Sequence, residues 1–82
     1  SSEEKWKKLF EEYVTEAIVK YEHRLSDMII TIELHDIVRE ERLSYAVQVR
    51  KRADVYVVGT LNSNGEQLRL RYTLYLGPLS NE

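Results

Sequence analysis

Residues 53–76 read ADVYVVGTLNSNGEQLRLRYTLYL, and the way this stretch turns back on itself decides the fold. Turned about Asn64-Gly65 as a two-residue hairpin, it sets Leu61 opposite Leu68, Gly59 opposite Leu70 and Val57 opposite Tyr72. Val55 then meets Leu74 and Ala53 meets Leu76, all on one face. The other face carries Asp54, Tyr56, Val58 and Thr60 against Arg69, Arg71, Thr73 and Tyr75. Asn-Gly supplies the positive φ angles of a type I′ turn, and the period-two pattern fixes which side is buried. A ribbon with one apolar side needs a cover.

The chain upstream offers that cover. Ser1 or Ser2 can cap a helix, Glu3 and Glu4 suit its positive end, and Lys20, His23 and Arg24 suit its negative end. Trp6, Leu9, Phe10, Tyr13, Val14, Ala17, Tyr21 and Leu25 recur at spacings of three and four, which gathers them on one stripe. Val19 falls on the polar side. The spacing predicts a helix over about residues 2–25.

Between helix and hairpin the alternation is that of strands. Met28, Ile30, Ile32 and Leu34 share one face, and Ile29, Thr31, Glu33 and His35 the other. Asp36 interrupts the apolar series, so either a bulge at His35-Asp36 turns it outward, the favoured reading, or it is buried with a partner. Arg39-Glu40-Glu41-Arg42 reads as a charged loop. Leu43, Tyr45, Val47 and Val49 define the next inward face, and a three-residue reversal at Lys51-Arg52-Ala53 would lead into the hairpin. Gly77-Pro78 ends the last strand, and Leu79–Glu82 reads as a tail. The expected class is α+β: one N-terminal helix on the concave face of a four-stranded antiparallel up-and-down sheet. The strands fall at about 28–38, 43–50, 54–62 and 67–76 in a single domain spanning 1–82. The bulge and the inward Gly59 would let the sheet curl round the helix.

Composition narrows the function classes. Eighty-two residues suffice for one two-layer core. With 43% hydrophobic and 32% charged residues the chain reads as a soluble globular domain. Its net charge of −2, from 12 basic and 14 acidic residues, does not suggest nucleic acid or an anionic membrane as partner. No cysteine is present, so thiolate metal sites, disulfides and cysteine nucleophiles are excluded. No apolar run is long enough to span a membrane, and no secretory leader is visible.

Chemistry is sparse. Glu33 and His35 share a strand face beside Asp36, a weak metal or acid–base signature without a third ligand at recognisable spacing. Asp36 with inward Tyr45 forms a candidate pocket polar pair. Arg50, Lys51, Arg52, Arg69 and Arg71 beside Tyr56 and Tyr75 would make a basic stacking platform for single strands, weakened by Asp54 and Glu66. Gly59, Gly65 and Gly77 are isolated and form no phosphate-cradling loop.

A helix followed by a four-stranded wrap resembles the cystatin-like arrangement, and Tyr56-Val57-Val58-Gly59-Thr60 is distantly similar to the cystatin Gln-Val-Val-Ala-Gly hairpin motif. The leading Gln and the Ala are absent, so protease inhibition is not implied. The topology also resembles a trimmed NTF2-like cone without its pocket-closing helices. By style the whole chain resembles idealised de novo designed proteins with curved sheets: Ser-Ser-Glu-Glu opens a Lys/Glu-rich helix, the strands alternate, and Asn-Gly marks a turn. These resemblances imply a non-enzymatic scaffold without cofactor or metal. The alternative is an interaction module whose outer sheet face (Ile29, Ala46, Tyr56, Val58, Tyr75) or edge strand meets a protein or a second copy of the chain.

Overall fold

The computed structural model describes residues 1–40 and 47–77. Helix α1 (Ser2–Tyr21) is followed by three strands, β1 (Leu25–Glu40), β2 (Val47–Leu61) and β3 (Gln67–Leu76). They form one antiparallel sheet in the order β1-β2-β3. The class is α+β, but among the described residues the sheet has three strands where the sequence predicts four. The segments expected at 43–50 and 54–62 belong, as far as they are described, to the single strand β2, which runs straight through Lys51-Arg52-Ala53. That tripeptide contains no residue with turn chemistry. Val47, Val49, Ala53, Val55 and Val57 keep one parity across it, so a continuous strand satisfies the pattern as well as a reversal does.

Two compact units are distinguishable. The first comprises Ser1–Ile30 and Val57–Leu70; the second comprises the remaining described residues. In the first, Ser1 caps α1: its hydroxyl oxygen accepts from the Glu4 N–H at 3.3 Å, and the Glu4 carboxylate bonds back to the Ser1 amino group, a complete capping box. The helix stops at Tyr21, four residues short of the expected end, with Glu22 as C-cap, and Leu25 is the first residue of β1 instead of the last of the helix stripe. Val14, Leu25 and Val57 form the buried apolar set of this unit. Gly59 is buried against Leu25 and Met28. A Cβ there would lie 3.1–3.3 Å from Met28 Cγ and from Leu25 Cβ and Cδ1, so the missing side chain is space that two others occupy.

The helix stripe is only partly used. Val14 is buried, and Phe10, Ala17 and Ile18 are half-buried, whereas Leu9, Tyr13 and Tyr21 are exposed. The seven stripe residues that lie on α1 cover more of the circumference than one contact line can bury.

The hairpin keeps its predicted faces but not its predicted register. Leu61 N–H donates to the Glu66 carbonyl and Gly65 N–H to the Leu61 carbonyl, both at 2.8 Å, which makes the loop four residues long, Asn62 to Gly65. Gly65 has φ 75°, while Asn64 does not take the second positive φ of a type I′ turn and instead accepts the Glu66 N–H on Oδ1 at 2.9 Å. The register is accordingly shifted by two residues, Leu61 facing Glu66 and not Leu68, and since side chains alternate with period two, each stays on its expected face. The cause is non-local. Asn62 N–H donates to the Arg24 carbonyl at 2.8 Å, its Nδ2 to the His23 carbonyl at 2.9 Å, and its Oδ1 accepts from Ser26 Oγ at 2.6 Å. These bonds hold Asn62 at the helix–strand junction, outside the ladder.

In the second unit Ala53 and Val55 are completely buried. The bulge expected at His35-Asp36 does not carry Asp36 to the opposite face. Its carboxylate accepts from Lys51 Nζ at 2.7 Å, and Lys51 belongs to the Ala53-Val55 side of β2. The two charged interruptions of the apolar pattern meet each other. Tyr45, the partner expected for Asp36, lies outside the described residues, as do the predicted tail at 79–82 and Glu41-Arg42; Arg39 and Glu40, expected in the loop, are the last residues of β1. Irregularity in β1 falls instead at Asp27, with φ 52°, a left-handed conformation that short polar side chains tolerate better than others do.

Asn62→Ala removes two side-chain bonds and is expected to lower the unfolding free energy by about 1–3 kcal/mol. Gly65→Ala forces an alanine into the left-handed region at a cost of about 1–2 kcal/mol, although nothing crowds the site. Urea denaturation of both variants checks these values.

Candidate functional site

The titratable groups of the second unit converge on Asp54. β2 alternates Arg52, Asp54 and Tyr56 on one face, β1 alternates Glu33 and His35, and the shifted hairpin register brings Arg71 and Thr73 alongside from β3. The Asp54 side chain is only 3% exposed. Thr73 Oγ1 donates to its Oδ1 at 3.3 Å, and Arg71 Nη2 stands 3.8 Å from the same oxygen. Its Oδ2 lies 3.2 Å from His35 Nε2 and 3.4 Å from Arg52 Nε. Arg52 Nε is buried and within ion-pair distance but has no hydrogen-bond partner, so its contribution is charge without directional bonding. His35 Nε2 is also 3.6 Å from Glu33 Oε2. Arg71 completes the arrangement by lying over the Tyr56 ring, 5.6 Å from its centroid.

Glu33, His35 and Asp54 therefore place three possible metal-ligand atoms within 4.8 Å of one another. The donor set is of the right type for a divalent cation, but the surroundings oppose one. Two guanidinium groups already face the buried carboxylate, and a cation would compete with both at close range in a poorly solvated place. The arrangement is that of a buried anion held by cationic and hydroxyl neighbours.

Sequence reasoning brings Glu33 and His35 together correctly, but pairs them with Asp36, which stands on the other face of β1 with Lys51. It misses Asp54 as the centre, for the expected register puts Tyr75 opposite it in place of Thr73. The basic platform is dispersed: within this unit Arg52 and Arg71 are drawn to Asp54, Lys51 to Asp36, and Arg50 is exposed. Of the outer-face surface, Ile29 and Tyr75 are exposed, Tyr56 and Val58 are half-buried, and Ala46 lies outside the described residues.

A second candidate lies on α1, in the first unit. Trp6, Leu9, Phe10, Glu12, Tyr13 and Glu16 line a shallow, mostly apolar groove along the helix. Trp6 and Phe10 stack with ring centroids 5.4 Å apart and planes 10° from parallel, giving the groove a stiff wall. Leu9 is 65% exposed and Tyr13 73%. No described helix is long and apolar enough to cross a membrane.

No protein family, curated protein or solved structure matches this chain.

Asp54→Ala removes the carboxylate that Thr73, His35 and the two guanidinium groups share and is expected to cost about 1–3 kcal/mol, because Arg52 and Arg71 keep access to water. Asp54→Asn keeps an acceptor for Thr73 and should cost less. Equilibrium unfolding of both variants, with and without a chelator, reads this: an effect of the chelator on the wild type would restore the metal interpretation.

Proposed function

We propose that the chain is a non-enzymatic scaffold that acts as an interaction module, with the exposed flank of α1 as its contact surface. The observation that carries this reading is the continuous apolar line Leu9–Tyr13 beside the Trp6–Phe10 stack, left open on a helix whose other side supplies the core residue Val14. Exposed single apolar side chains such as Ile29 and Tyr75 are ordinary on protein surfaces, whereas a contiguous apolar strip rimmed by charges is the usual mark of a binding face. The polar cluster around Asp54 supports the same reading from the other direction. Its carboxylate is occupied by neighbouring groups, which leaves it poorly placed to serve a substrate.

A contact surface contributes little to the fold that presents it. Leu9→Ser combined with Tyr13→Ser is therefore expected to leave the unfolding free energy within about 0.5 kcal/mol of wild type. Val14→Ala, next to Tyr13 in sequence but on the buried side, should cost about 1–3 kcal/mol. Urea denaturation compares the two, and a loss of core size in the Leu9/Tyr13 variant would assign these residues to the fold instead of to a partner.

A further inference from the structure

The occupant of the helix surface follows from how charge is distributed along it, an inference that rests on the reading of α1 as a contact face. Around Leu9 and Tyr13, one flank of the groove carries Lys5 and Lys8 toward the N-terminus, then Glu12 and Glu16 toward the C-terminus, all four exposed. Spacings of three and four put them on adjoining turns of the same side of the helix. None of the four takes part in an ion pair among the described residues; the nearby pair Lys7–Glu11, at 3.9 Å, belongs to another face. The flank is basic in one half and acidic in the other, with the apolar pair between.

We infer that a second copy of this chain docks on the groove, the two α1 helices antiparallel about a two-fold axis at the level of Phe10–Glu11. In an isologous contact the same patch meets itself. For antiparallel helices the two-fold axis brings like flanks together and reverses their direction, so the N-terminal half of one flank lies along the C-terminal half of its mate. Lys5 of each copy then faces Glu16 of the other, and Lys8 faces Glu12, while Leu9 packs against Tyr13 across the axis. A parallel two-fold arrangement would set this charged flank beside the opposite, Trp6–Phe10 flank of its mate and leave all four charges without an opposite partner. A general apolar partner would have no use for the reversal of sign. Because the buried side of α1 at Val14 and Ile18 points away from this line, the contact uses none of the residues that hold the helix to its own unit. A helix pair of about three turns is a small interface, so the association is expected to be weak, with a dissociation constant on the order of 10–100 μM.

The test is sedimentation equilibrium of the full chain from about 10 μM to about 1 mM, bracketing that range. The wild type is expected to pass from monomer to dimer. Lys5→Glu with Lys8→Glu should weaken dimerisation about tenfold or more, as should Glu12→Lys with Glu16→Lys, because each makes the flank a single sign. An equimolar mixture of those two variants should recover wild-type association, and so should one chain carrying all four substitutions. A wild type that stays monomeric throughout overturns the inference. So does a dimer indifferent to the charge reversals, which would lie at the outer sheet face or a strand edge. The charge variants are exposed and are checked for unchanged thermal unfolding, so loss of association is not mistaken for loss of fold. The Leu9→Ser/Tyr13→Ser comparison separates the two levels: folding-neutral serines with a monomeric wild type remove the second copy but keep the contact face, whereas destabilising serines remove both.

Discussion

A charge on the apolar side of a strand must end the strand, reach water or meet an opposite charge. In β2 that charge is Lys51, and the ion to which it donates at 2.7 Å is Asp36 on β1. Asp36 is 58% exposed, so the pair adds little net stability. Its importance is permissive. With Lys51 accommodated, β2 need not break after Val49, and one strand of 15 residues can carry Ala53 and Val55 on one face and Asp54 on the other. The sheet has three strands because this interruption was answered across the ladder and not by a turn.

The faces of the hairpin were legible in the sequence, and its register was not, for a definite reason. Alternation is a local property that survives any even shift, so Val55 and Val57 are buried as expected although their cross-strand neighbours differ. Register was settled by Asn62, whose partners His23, Arg24 and Ser26 are distant in the chain and carry no pattern. The absence of glycine, proline, asparagine or aspartate from Lys51-Arg52-Ala53 is the readable argument against a reversal there. On the helix, spacing gathers the apolar residues but does not say which part of so broad a stripe is buried: Ile18, outside the expected stripe, is half-buried, whereas Leu9 and Tyr13, within it, are exposed. Glu33 and His35 were visible as a pair two residues apart, while Asp54 joins them only through the neighbouring strand.

The two candidate surfaces differ in what they still lack. Around Asp54, charge is balanced within a few ångströms by groups of the same chain, so a ligand would have to displace bonds already made. Along α1 the apolar strip has water as its neighbour, and removing that water is favourable for whatever covers it. The polar cluster therefore belongs to the energetics of the fold, and the helix flank is what the proposed association would use.

Asn62 also bears on the order in which the chain assembles. Its turn closes over a handful of residues, between Leu61 and Glu66, yet its side chain bonds to residues 36 and 39 positions earlier. Closing the short loop loses little chain entropy, and joining it to the helix end loses more. The β2–β3 hairpin is thus placed to form early, and the clamp on His23 and Ser26 to form late. A substitution at Gly65 would then slow folding, whereas one at Asn62 would mainly speed unfolding, so a single turn would report on both sides of the transition state.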